Sequence, residues 1–227
     1  MARGEYKRRS RCSRRIGPII MDKLLLSSFI SVNDFPFPEF LSQYAYAWEV
    51  LPVIARYIEN NCSGYEQIGE NIFVGKNVVI EEASKIIGPV FIGNNSKIGH
   101  AAYIRPATII GENVQIGHAS EIKNSIILNN SSIAHLNYVG DSVIGTGVNI
   151  AGGVIAANWR FDKRNVSIKS EDTRYDTGLE KFGAVIGDNA NIGVNTVLNP
   201  GTFLGRRSIV FPLTLVSGLH SEDSVIK

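Results

Sequence analysis

The chain has 227 residues, 44% of them hydrophobic and 19% charged, with a formal net charge of +2. That length holds one good-sized domain with an appendage, and no apolar run approaches the ~18 residues that a membrane-spanning helix needs. The two cysteines, Cys12 and Cys62, have no metal-ligand spacing, so no metal site is expected and a reduced, cytoplasmic setting is.

Residues 1–20 carry Arg3, Lys7, Arg8, Arg9, Arg11, Arg14 and Arg15 against the single acid Glu5, and without them the formal charge of +2 becomes −4. The excess of positive charge therefore belongs to this extension and the remainder is mildly acidic. A basic tail could bind nucleic acid or an anionic surface. Met21 offers an alternative start, however, so residues 1–20 read as a disordered or non-native extension and nucleic-acid binding is not expected. The apolar stretch Ile16 to Met21 is too short for a signal peptide and is broken by Gly17 and Pro18.

Residues 21–64 have a different texture. FPFPEF is followed by a helical stripe of Phe40, Leu41, Tyr44, Trp48, Leu51, Ile54, Ala55 and Ile58, interrupted by Pro52. This segment is expected to cap one end of the body that follows, with Tyr46 and Trp48 as packing residues.

From residue 65 to about 220 a six-residue period takes over. Ile68, Val74, Ile80, Ile86, Ile92, Ile98, Ile104, Ile110, Ile116, Ile122 and Leu128 fall on every sixth position, often followed by glycine as at Gly93, Gly99, Gly111 and Gly117. A period of six fits neither a helix nor a simple strand. It means a short strand and a tight turn, repeated, with three such units making one coil of a parallel prism. The anchors resume at Ile144, Ile150 and Ala156 and again from Ile186 to Val216, which predicts an all-β parallel β-helix of about seven coils. At the ~4.8 Å spacing of stacked strands it is on the order of 30 Å tall. Between Ala156 and Ile186 the polar loop 159–183 leaves the prism and returns without disturbing its phase, and it is expected to be a lid or an arm toward a neighbouring subunit.

Residues that break the repeat are the candidates for chemistry. Where most anchors are followed by a small residue, Ile104 and Ile122 are followed by Arg105 and Lys123, one coil apart. Two cations stacked ~5 Å apart repel by roughly 3 kcal/mol at an effective dielectric near 20, and together they make a site for phosphate. In SSIAHLNYVGD, residues 131–141, the sixfold phase moves from that of Leu128 to that of Tyr138 and Ile144. This is expected to bulge the coil and present His135 differently from its neighbours. A neutral imidazole there could accept a proton near pH 7. His100 and His118 read as a surface column.

The run from Arg105 to Asn158, with IRP, EIKNS, HLNYVGDSVIGTGVNIAGG and AAN, resembles the acetyltransferase domain of the bifunctional N-acetylglucosamine-1-phosphate uridyltransferase/glucosamine-1-phosphate N-acetyltransferase family. The resemblance covers about residues 66–218, and residues 35–61 look like the family's linker helix. It implies a left-handed prism, a homotrimer, and transfer of an acetyl group from acetyl-CoA to an amino-sugar 1-phosphate in sugar-nucleotide synthesis. By resemblance, His135 is the general base and Arg105 and Lys123 hold the phosphate. Glu121, Tyr138, Asn149 and Asn158 match further sugar-binding positions, and Lys181 matches a lysine given to a neighbouring subunit's site. Gly152 falls where the backbone contacts acetyl-CoA, and an N–H near Gly152 or Gly153 is a candidate donor to the thioester oxygen. Gly218 stands where many bacterial members have an arginine near the CoA phosphate, so Arg206 or Arg207 is expected to substitute. Asn158-Trp159 replaces the family's common Asn-Tyr pair. Nothing resembles the uridyltransferase half, so a separate nucleotidyltransferase partner is one expectation. A non-catalytic sugar-nucleotide-binding or trimerisation subunit is the alternative. Metal hydration of the γ-carbonic anhydrase kind would need two histidines five residues apart and a distant third, a spacing this chain lacks.

Overall fold

The computed structural model describes residues 22–33, 35–170 and 173–227. The basic extension 1–20 and Cys12 lie outside them. Residues 66–226 wind into a left-handed parallel β-helix whose three faces, among the described residues, are sheets of nine, eight and seven strands. The first sheet contains Val90–Ile92, Thr108–Ile110 and Ile126–Ile127. The second contains Lys97–Ile98, Gln115–Ile116 and Ser132–Ile133, and the third Tyr103–Ile104, Glu121–Lys123 and Tyr138–Gly140. Within these three sheets the opening strand, Glu66–Gly69, pairs antiparallel. There are about eight coils rather than seven, because Leu219–His220 and Val225–Ile226 extend the stack beyond the last hexad.

Inside, aliphatic side chains stack coil upon coil. Ile92, Ile110, Ile127, Ile144, Ile186 and Leu204 are all 0% exposed. Corners are turned by residues of positive φ, most often asparagine, such as Asn95, Asn113, Asn130 and Asn189, whose short polar side chain tolerates the left-handed region.

The register departs from strict sixes in the middle of the prism. Ile92 pairs with Ile110, eighteen residues on, but Ile110 pairs with Ile127 and Ile127 with Ile144. The core anchor is therefore Ile127 and not Leu128, and Val139 points inward where the sequence suggested Tyr138. The shortening falls at two places, Ile122 to Ile127 and Val139 to Ile144. Both are corners between the third and first sheets.

The helical segment lies along the side of the prism and not across its end. The residues facing outward from the first sheet are Phe73, Phe91, Ile109, Ile126, Val143, Val185 and Phe203, an apolar column that left bare would be a large exposed patch. They form one buried cluster with Leu24, Phe29, Phe37, Phe40, Leu41, Ile54 and Ile58. Phe37 meets Phe91 at 4.7 Å and Phe29 meets Phe203 at 5.2 Å, edge to face. Trp48 stacks on Tyr46 and packs its edge against Phe182 and Phe203, a packing role as expected. Buried Asp188 ties the segment down by accepting the N–H groups of Ser31 and Thr146, each at 2.8 Å. By contrast Ile68, Val79 and Ile80 at the first coil are 46%, 52% and 38% exposed, so that end is open among the described residues.

The loop 159–183 is also docked on its own chain rather than extended. Ser167–Ser170 and Thr173–Asp176 form an antiparallel hairpin, and Val166, Ile168, Tyr175 and Phe182 are buried in the same cluster as the helices. Its entry and exit are pinned together by an antiparallel bridge between Trp159 and Lys181. Ile186 then pairs with Ile144, which returns the chain in register.

Candidate functional site

The two shortened corners create a polar concavity on the side of the prism. A cleft of about 430 Å³ is lined by Arg105, Lys123, Tyr138, Asn158, Trp159, Glu180 and Lys181. Arg105 and Lys123 occupy the same corner in successive coils, because Ile104 pairs with Ile122. Neither is a bare cation. The Arg105 guanidinium donates to Glu121 Oε1 at 2.7 Å and lies 5.8 Å from the Tyr103 ring centroid. The Glu121 hydrogen bond holds its pKa above the ordinary value. Lys123 Nζ donates to both carboxylate oxygens of Asp141, at 3.0 and 2.9 Å. Asp141 also accepts from Asn124 Nδ2 at 2.8 Å and from Asn158 Nδ2, which donates as well to the Tyr138 hydroxyl at 3.0 Å. The tyrosine's pKa is raised by burial first, then by the Asp141 and Glu121 carboxylates. The free phosphate pair expected from the sequence is thus two ion pairs, and the residue that sequence reasoning missed is Asp141.

The outward face of the third sheet forms a floor leading away from this corner, with Glu121 and Tyr138 directly paired on adjacent strands. At its opposite edge stands His135. Five residue steps separate it from Gly140, an upper limit of roughly 16 Å at ~3.3 Å per residue, which long side chains from both edges narrow further. His135 does not leave the repeat. It continues the column of His100 and His118, since the Leu136 N–H donates to the His118 carbonyl and the Gly153 N–H to the His135 carbonyl, at 2.9 and 3.1 Å. What distinguishes it is the coil that follows. His100 and His118 stack with ring centroids 5.6 Å apart and His118 Nδ1 rests on the His100 carbonyl, whereas His135 looks onto Gly152. A Cβ on Gly152 would lie 2.9 Å from both Cδ2 and Nε2 of the imidazole. Gly152→Ala should therefore push the ring aside while the fold persists, and a shift of the His135 ring resonances in an otherwise unchanged NMR spectrum checks it. Because Gly153 donates to the ladder, the Gly152 N–H is the remaining candidate donor of the two.

Lys181 lines the same cleft as Arg105 and Lys123 within one chain, because the bridge to Trp159 folds the exit of the arm back beside its entry. Asn149 is elsewhere. It faces outward from the second sheet, paired with Ser132 and Asn191. Arg206 and Arg207 sit at the corner between the first and second sheets. Arg206 donates to the carbonyls of Phe29 and Ser27, each at 3.1 Å, and Arg207 to Asp223 and Glu222. Their guanidiniums are engaged there, and neither lines the cleft. Among the described residues no three His, Cys, Asp or Glu side chains converge as a metal site, and no helix is long and apolar enough to cross a membrane.

A family model described as the GMPPB C-terminal domain matches residues 86–210. The bifunctional protein GlmU of Methanococcus vannielii is 42% identical over 104 residues, 46% of this chain and 25% of that protein. A bifunctional sugar-1-phosphate nucleotidylyltransferase/acetyltransferase of Sulfurisphaera tokodaii is 39% identical over 95 residues, 42% of this chain and 24% of that protein. The chain thus spans about a quarter of the length of these curated relatives. Among solved structures, a point mutant of AntD, an N-acyltransferase from Bacillus cereus in complex with dTDP and coenzyme A, aligns with a TM-score of 0.40 and 18% identity over 71% of this chain and 83% of that one. UDP-N-acetylglucosamine acyltransferase from Campylobacter jejuni gives a TM-score of 0.32 and 18% identity over 70% of this chain and 65% of that one.

Proposed function

Since the chain belongs to the GMPPB C-terminal domain family, we propose that it is an acyltransferase that moves the acetyl group of acetyl-CoA onto the amine of an amino-sugar 1-phosphate. The observation that carries this reading is the floor of the third sheet, with N–H donors for an anion at one edge and an unstacked histidine beside a glycine at the other. An acceptor laid across it has its phosphate at Arg105, Lys123 and Lys181. Glu121, Tyr138 and Asn158 face its hydroxyls, and its amine points toward His135.

The chemistry follows from that placement. The amine nitrogen attacks the thioester carbonyl, forming the C–N bond as the C–S bond breaks. His135 takes the amine's proton and returns it to the departing thiolate, while the Gly152 N–H faces the carbonyl oxygen as charge develops on it. Acetyl-CoA is a substrate, and the transfer asks nothing of a metal. Two further copies of the chain are the proposed partners, since Asn149 reaches a sugar only from another subunit's second sheet. A nucleotidyltransferase is a further proposed partner.

The test is release of CoA thiol from acetyl-CoA with glucosamine-1-phosphate, galactosamine-1-phosphate or unphosphorylated glucosamine. Burial pushes the Cys62 thiol up to about 12, so it adds no thiolate to the signal at assay pH. Release that depends on both phosphate and amine is the expected result and names the sugar. Binding of the phosphorylated sugar without thiol release would instead favour a non-catalytic binding subunit, a reading that the pairing of Arg105 and Lys123 with their own carboxylates also fits.

A further inference from the structure

Asp141 takes no part in the acyl transfer just described, yet its carboxylate holds Lys123 and Asn158, two of the residues that line the cleft. It is the left-handed residue of a five-residue corner, with φ 50°, and Asn124, with φ 45°, holds the same place one coil earlier. Asn158 follows one coil later, so the shortened corners align Asn124, Asp141 and Asn158 as a second column behind Arg105 and Lys123. The Asp141 side chain is 4% exposed and that of Lys123 20%. Its carboxylate receives Lys123, Asn124 and Asn158. Its backbone N–H donates to the Lys123 carbonyl at 2.9 Å, and its carbonyl accepts the Gly183 N–H at 2.8 Å. One buried residue thereby grips the cation of the anion-binding wall and both ends of the arm's neck.

A buried ion pair is weak evidence for a stabilising role, because apolar packing of the same volume does as well or better. Its use here is orientation. Two of the three Lys123 donors are occupied, which fixes the ammonium and aims what remains at the cleft. We infer that Asp141 is a positioning residue for the acceptor's anionic group, acting through Lys123. The inference rests on the acyltransferase reading for its substrate, but binding of the anion can be measured without turnover.

The experiment pairs Asp141→Asn with Lys123→Met and the double variant. Asparagine suits the left-handed φ and keeps a side chain of the same shape. In the full chain, Asp141→Asn should raise the KM for glucosamine-1-phosphate about tenfold, the weight of one charge-assisted hydrogen bond. The KM for acetyl-CoA should stay unchanged, and kcat should change far less than the KM for the phosphorylated sugar. Calorimetry with inorganic phosphate should weaken in parallel. In the Lys123→Met background, Asp141→Asn should add almost nothing, since its effect passes through the lysine. The double variant leaves no buried charge unpaired and so guards against loss of fold. Additive effects in the cycle, or an equal loss with unphosphorylated glucosamine, would overturn the inference. Absence of thiol release in the wild type would sink the acyltransferase reading alone, because phosphate calorimetry still reads Asp141.

Discussion

Replacing His135 by alanine is expected to slow CoA thiol release by about 10²- to 10⁴-fold, the usual contribution of a positioned general base. Binding of the amino-sugar phosphate should be nearly unaffected. The separation is geometric. His135 stands at one edge of the third sheet, and the groups that line the cleft, Arg105, Lys123 and Lys181, stand at the other. Arg105→Ala should behave in the opposite way, raising the KM for the phosphorylated acceptor with a smaller effect on kcat, because it removes a contact made before the chemical step. Single-turnover measurements on the two variants give the comparison. Unchanged turnover in His135→Ala would remove that residue as the base.

The second large effect concerns the covered face. Phe203→Ala should destabilise the fold by ~3–5 kcal/mol, the cost of truncating a buried phenylalanine and leaving a cavity. The site is shared by elements far apart in the chain. Phe203 is 0% exposed and its ring meets Phe29, Trp48 and Phe182. The cavity therefore opens where the helical segment, the arm and the prism join. For a chain of this size such a loss lowers the melting temperature on the order of 10 °C. Limited proteolysis should begin to cut within residues 22–64 before it reaches the coils.

The period of six made the prism legible, because only a stacked coil repeats an aliphatic residue so regularly. The covering of one face was written there too, one position before the anchor. At every third hexad that position is Phe73, Phe91, Ile109, Ile126, Val143, Val185 or Phe203, whereas the other two faces carry Lys97, Gln115, Tyr103 and Glu121. An outward position that stays apolar through the stack marks a face that something must cover. Reading the helical stripe as an end cap overlooked this column. The docking of the arm was harder to see, since Val166, Ile168, Tyr175 and Phe182 are sparse among charges.

The candidate site was half legible. Arg105, Lys123, Tyr138, Asn158 and Lys181 do line one cleft. Their neutralisation by Glu121 and Asp141 was not foreseen, because a carboxylate sixteen to eighteen residues away in sequence is a neighbour only through the coil. Assigning the phase break to residues 131–141 as a whole also misplaced it. The shortened steps lie at Ile122 to Ile127 and Val139 to Ile144, and with the right register His135 returns to its column and Tyr138 turns outward.

Those two short steps determine where a smooth tube acquires a notch. Stacked coils share their ladder hydrogen bonds, so their perimeters must match nearly everywhere. A coil with one residue fewer cannot shrink evenly, and it draws in at the single edge where the residue is missing. Two consecutive coils drawn in at the same edge leave a step against the coil above, which still has its full corner at Arg105, Pro106 and Ala107. The neck of the arm supplies Trp159, Glu180 and Lys181, and the rest of the cleft's wall is that step. Its depth is set by chain length, and its chemistry by the side chains that happen to stand on either tread.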